Sequence, residues 1–141
     1  MTSQLNVDTI VDKAGSGGTN VKIGNTSTYV SDGGAVTQNT VQGLAKYWVD
    51  FNGSSTVAVR DSFNHSSLSD DGTGIYTISY SNSFSNANYC AACGQDDNAG
   101  SIAVPRQNTD LGTGSTVVRT TNGSSGSDQT YIHVALFGDL A

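Results

Sequence analysis

A chain of 141 residues is one domain's worth, with room for an attached arm. About a fifth of it is Leu, Ile, Val or Phe, so a lone copy is short of apolar mass and self-association is the simplest remedy. The net charge of −6, with six Lys and Arg scattered one at a time, excludes a footprint for a nucleic-acid backbone, and no apolar run approaches a membrane span.

All twelve acidic residues are Asp, and straight-chain helix formers give way to Thr, Val, Tyr and Gly. The chain therefore reads as nearly all β with many turns. Residues 1–6 lack the charged-then-apolar order of a secretion signal, so synthesis in a cytoplasm is expected.

Residues 1–42 hold only isolated apolar fragments: Leu5 and Val7, Ile10-Val11, Val21 and Ile23, Tyr29-Val30, Ala35-Val36. Flexible polar loops separate them. Such fragments bury no core alone, so an extended arm that pairs with copies of itself or adds to another sheet edge is expected.

From residue 43 the pattern changes. Every second side chain in Ala45, Tyr47, Val49 and Phe51 is apolar, which predicts a half-buried strand. Asn52-Gly53 predicts the turn, and Val57 and Val59 the return strand, ending at Arg60-Asp61. Asp70 to Gly74 predicts a second loop, after which Tyr76, Ile78 and Tyr80 share one face. Further strands are expected over 87–93, 101–104 and 116–120, with Pro105 ending the second of these. The last, 130–137, sets an apolar face of Ile132, Val134 and Leu136 against a mixed face of Tyr131, His133 and Phe137. About eight short strands at this spacing predict an antiparallel β-sandwich or a jelly-roll-like domain over 43–141.

Chemistry is harder to find. In an extended strand Cys90 and Cys93 point to opposite faces with Cα atoms about 10 Å apart, beyond the ~7 Å reach of a disulfide. They are expected as two buried free thiols. His65 and His133 are isolated and form no zinc-ligand spacing with the cysteines. The pairs Asp70-Asp71 and Asp96-Asp97 sit beside Gly or Asn, where Asp caps its own turn, so no catalytic residue, metal or cofactor is expected. Trp48 lies on the parity of Lys46 and Asp50, away from Tyr47; it either meets a neighbouring subunit or covers the sheet with its indole. With Tyr131, His133 and Phe137 it forms the candidate subunit interface. The long loops Gln95–Gly100, Arg106–Ser115 and Asn122–Asp128 carry few apolar residues, and polar loops on a β scaffold are where recognition usually sits. Their candidates are Gln95, Asp96, Asp97, Asn98, Arg106, Asn108, Asn122 and Asp128.

Two stretches also carry a resemblance. Gly43-Leu44-Ala45-Lys46, Trp48-Val49-Asp50-Phe51-Asn52-Gly53, Val57-Ala58, Arg60-Asp61-Ser62-Phe63-Asn64, Asp70-Asp71-Gly72-Thr73-Gly74 and Tyr76-Thr77 resemble the C-terminal domain of small tail-fibre and related virion proteins of marine tailed bacteriophages, cyanophage- or pelagiphage-like. Leu5-Asn6-Val7-Asp8-Thr9-Ile10-Val11-Asp12 is similar to the leader that opens many of them. The matches cover residues 4–12 and roughly 43–94 and carry no known chemistry. They imply a short tail-fibre or head-fibre subunit in the virion, homotrimeric, docked on other virion proteins through Leu5, Val7, Ile10 and Val11. Its β-domain would then be presented to host-surface glycan or protein. The alternative is a capsid decoration protein with no receptor role.

Overall fold

The computed structural model describes residues 28–30, 37–39, 43–95, 102–105 and 110–141. Within Met1–Val41 the described strands are β1 (Thr28–Val30) and β2 (Thr37–Asn39), antiparallel, with Tyr29 opposite Gln38. The second strand begins just after the expected Ala35-Val36. Leu5, Val7, Ile10 and Val11 lie outside the described residues.

The other eight strands fall within Gln42–Ala141: β3 (Tyr47–Asn52), β4 (Ala58–Phe63), β5 (His65–Gly72), β6 (Ile75–Tyr80), β7 (Cys90–Gln95), β8 (Ile102–Pro105), β9 (Ser115–Thr121) and β10 (Ile132–Phe137). They make two four-stranded sheets, ordered β4-β3-β10-β7 and β5-β6-β9-β8, with every pairing antiparallel. This is the expected all-β sandwich. Its core comes from the inner parity of the four central strands. Tyr47, Val49 and Phe51 of β3 and Ile132, Val134 and Leu136 of β10 face Tyr76, Ile78 and Tyr80 of β6 and Val118 of β9. Alternation decides this: in β3, β6, β9 and β10 every second residue is buried.

Tyrosine fills much of the space that aliphatic residues leave, and each phenol then needs a partner. The Tyr76 hydroxyl stands 2.8 Å from the Gly53 carbonyl oxygen and 2.9 Å from Asp128 Oδ1. Tyr47 meets His65 Nδ1 at 2.8 Å, and the hydroxyls of Tyr80 and Tyr89 converge on Thr116 Oγ1. Burial pushes the Tyr47, Tyr76 and Tyr80 phenols well above their ordinary range. These groups stay neutral and act as hydrogen-bonding struts.

The crossing from β4 to β5 differs from expectation. The return strand runs past Arg60-Asp61 to Phe63, and a further strand, β5, fills residues to which no element was assigned and runs on to Gly72, inside the expected loop. The chain changes sheets at one residue, Asn64, whose φ of 60° is left-handed, a conformation Asn tolerates better than most. Its amide side chain donates to the carbonyls of Lys46 and Asn82, both at 3.0 Å, and its Oδ1 accepts from Asn82 N at 2.7 Å. β5 escaped detection because Leu68 is its one core-contacting apolar residue. Lys46 also departs from its expected exposed parity. It precedes β3, is buried, and donates from Nζ to the Leu44 carbonyl at 2.8 Å. Pro105 is the last residue of β8, at a sheet edge, where a missing N–H is tolerated.

The Asn52-Gly53 turn has another logic than the one expected. The left-handed residue of this loop is Ser55, at φ 63°, while Asn52 Nδ2 holds the Ser54 and Thr56 carbonyls, both at 2.8 Å. Gly53 is needed for close approach: a Cβ there would lie 2.5 Å from the Tyr76 hydroxyl and 2.6 Å from Ile132 Cδ1. Replacing Gly53 by Ala should therefore destabilise the domain by about 1–3 kcal/mol, the range for overpacking a core. Equilibrium denaturation measures this, and an unchanged midpoint would show that the contact yields freely.

Candidate functional site

The same alternation that fills the core sends the opposite parity outward. On the β4-β3-β10-β7 sheet the strand register fixes two cross-strand rows. One runs Ala92, Ala135, Trp48, Phe63, from β7 to β4. The next runs Gly94, His133, Asp50, Asp61. Phe137 stands opposite Cys90 beyond the first row. Trp48 is 37% exposed, Phe63 52%, Phe137 36% and Tyr131 51%, so large apolar groups project from one face of one sheet. On the other sheet the matching rows are Ser67, Ser79, Ser115 and Ser69, Thr77, Val117, with Asp71 accepting from Ser69 Oγ at 2.8 Å and Thr77 Oγ1 at 2.5 Å. One outer face carries large aromatics; the other carries Ser and Thr with Ile75, Val117 and Arg119 among them.

A shallow groove of about 330 Å³ lies on the aromatic face, between Trp48 and the small residues Ala92, Gly94 and Ala135, with Asp50 and His133 at its side. Its low floor follows from side-chain size, and a Cβ added at Gly94 would meet nothing within 4 Å. The charged groups beside it form one cluster. Asp50 Oδ1 accepts from Arg60 Nη1 at 3.0 Å and lies 3.5 Å from His133 Nδ1. The Arg60 guanidinium also sits 4.2 Å above the Tyr131 ring centroid and donates to the Thr130 carbonyl at 2.5 Å. Arg60 thus pins the end of β10 to β3 and β4 while leaving the aromatic row open.

The structure brings three of the four candidate interface residues, Trp48, His133 and Phe137, onto this face; Tyr131 lies exposed at its end. Sequence reasoning missed Phe63, because the return strand was ended at Asp61. The parity Asp61, Phe63 would have found it.

The candidate loop residues are placed differently. Asp96, Asp97, Asn98, Arg106 and Asn108 lie outside the described residues. Gln95 ends β7 and donates from Nε2 to the Thr121 carbonyl at 2.9 Å. Asn122 Oδ1 accepts from the backbone N–H of Ser124 at 3.2 Å and Ser125 at 3.1 Å, closing its own loop. Asp128 Oδ1 accepts from Gly74 N at 2.7 Å, at a φ of +68° where a Cβ would strike the Thr120 carbonyl. These groups hold the fold together.

Asp70 caps its own turn, accepting from Gly72 N at 3.2 Å. Among the described residues no three potential metal ligands cluster, and no helix is long and apolar enough to cross a membrane. The cysteines are both free and point to opposite sides of β7, but only Cys93 leans into the core; Cys90 is exposed, contrary to the expectation of two buried thiols. An edge strand with a bare outer face explains the difference. No protein-family model, curated protein or solved structure matches the chain.

Burial, with Cys90 as a smaller cause, pushes the Cys93 thiol up to about 11. Iodoacetamide at neutral pH should therefore label Cys90 first. Cys93 should respond slowly and accelerate as pH rises toward 11. Mass spectrometry of the intact protein reads both events; equal labelling at neutral pH would contradict the burial of Cys93.

Proposed function

We propose that the chain is a structural subunit of a virion, of the short tail-fibre or head-fibre kind, that self-associates through the aromatic outer face of the β4-β3-β10-β7 sheet. The setting rests on the resemblance to phage virion proteins. The self-association rests on one observation, the contrast between an outer face bearing the exposed aromatics Trp48, Phe63 and Phe137 and a counterpart of Ser, Thr, Ile75, Val117 and Arg119. Contiguous aromatic surface costs free energy in water, and a partner recovers about 25 cal/mol for each Å² it covers. The segment containing Leu5, Val7, Ile10 and Val11 would dock the subunit on the particle, and the loops would face the host.

A second reading, a decoration protein with no receptor role, is favoured by one observation. Asn122 and Asp128 spend their side-chain oxygens on the fold, which leaves the 122–128 loop with less to offer a ligand.

Sedimentation of the purified full chain tests self-association. Trp48→Ser and Phe63→Ser should each raise the dissociation constant about 30-fold, the effect of losing a ~2 kcal/mol interface aromatic, with little change in melting temperature. Association unaffected by both changes would overturn the interface. For the virion setting, deleting residues 1–12 should leave a folded, self-associating protein that no longer joins particles. Retention on particles would contradict the docking role.

A further inference from the structure

We infer that Asn122-Gly123 is a site of spontaneous deamidation in the folded chain, and that the fold shields the other Asn-Gly pair, Asn52-Gly53, from the same reaction. The change consumes water and needs no enzyme, and it is independent of what the chain does.

The chain attacks itself. The backbone nitrogen of the glycine adds to Cγ of the asparagine side chain and closes a five-membered ring. Its proton passes to hydroxide, and Nδ2 leaves with a proton as ammonia. Water then opens the cyclic imide at either carbonyl, giving Asp or its backbone isomer, isoaspartate. A glycine favours ring closure because no Cβ restricts the approaching peptide. Three groups decide whether a fold permits it: the attacking nitrogen, the carbonyl it attacks and the amide that leaves.

At Asn52 all three are held. Gly53 N donates to the Gln129 carbonyl at 2.9 Å, and Gly53 is buried against the Tyr76 hydroxyl and Ile132. Asn52 Oδ1 accepts from Ser54 N at 3.3 Å. Nδ2 donates to the Ser54 and Thr56 carbonyls, both at 2.8 Å. The ring can close only if this turn comes apart.

At Asn122 the arrangement is the reverse. Asn122 and Gly123 are exposed, and Gly123 stands at a φ of 92°. Its nitrogen is held only by a long bond of 3.3 Å to Thr121 Oγ1, and Asn122 Nδ2 has no partner among the described residues. The attacking and leaving groups are thus both loose. The carbonyl between them is polarised. Asn122 Oδ1 accepts from Ser124 N and Oγ, both at 3.2 Å, and from Ser125 N at 3.1 Å and Oγ at 3.4 Å. Oδ1 becomes an alkoxide when nitrogen adds to Cγ, and donors already aimed at it stabilise that charge as an oxyanion hole does.

The two products differ in what they do to the loop. Asp keeps the same donors and holds them harder, because a carboxylate is the stronger acceptor. Isoaspartate routes the backbone through Cγ and lengthens a turn closed by the bond from Asn122 N to the Ser125 carbonyl, at 3.1 Å. Either product makes the chain one charge more negative than −6, on the loop between β9 and β10.

The full chain, folded at mildly alkaline pH or unfolded in guanidinium chloride, is sampled over time and digested with trypsin. Cleavage after Lys46, Arg60 and Arg119 leaves Asn52 and Asn122 each as the sole asparagine of a separate peptide, 47–60 and 120–141. Mass spectrometry then follows the conversion of amide to acid on each. In denaturant the two should convert at similar rates. In the folded chain Asn52 should slow about tenfold or more, the factor that ~1.4 kcal/mol of held hydrogen bonding adds to a barrier. Asn122 should convert at least as fast as in denaturant, and Asn122→Gln should abolish the acid on its peptide. Asn122 slowed by folding as much as Asn52, or acid appearing first on the Asn52 peptide, would overturn the assignment.

Discussion

The pairing of β3 with β10 sets both faces of the molecule. Once Val49 stands opposite Val134 in the core, the period-two pleat puts Trp48 beside Ala135 and Asp50 beside His133 outside. Neither row can shift without dragging Tyr47, Phe51, Ile132 and Leu136 off the inner face. The outer surface therefore inherits its precision from the core, and an interface built on it needs no loop to position it.

A core short of aliphatic residues imposes a second constraint. Buried tyrosines supply volume but bring hydroxyls that must be satisfied, and the fold meets that demand with fixed acceptors. Tyr76 draws in the Gly53 carbonyl and Asp128, and Asp128 in turn holds Gly74 N. Polar groups that could have served a ligand are thus tied to the scaffold. One outer face of the described domain is left with its aromatic side chains exposed.

What the sequence disclosed follows from how strongly each element depends on burial. β3, β6 and β10 have complete apolar faces, so their alternation was legible, and with it the outward parity of Trp48, His133 and Phe137. β5 was not, because an edge strand with Leu68 as its one core contact leaves no periodic mark. The expected loop over Asp70 to Gly74 does hold the turn, at Thr73-Gly74, but β5 extends into it as far as Gly72. Asn52-Gly53 was rightly read as a turn, but its glycine answers to Tyr76 and Ile132, residues far along the chain. Asp128 looked like a loop acid because its partners, Gly74 and Tyr76, are more than fifty positions away. The row that sets Trp48 between Ala135 and Phe63 needed the cross-strand register, which no single segment contains.

Trp48 is the sole tryptophan, and it stands at the centre of the aromatic row, so its fluorescence reports on that face alone. Acrylamide quenching followed from nanomolar to high micromolar protein tests the central claim directly. The account predicts that quenching falls and emission shifts to shorter wavelength as concentration rises and a second copy covers the indole. Quenching that stays constant across the whole range would contradict it.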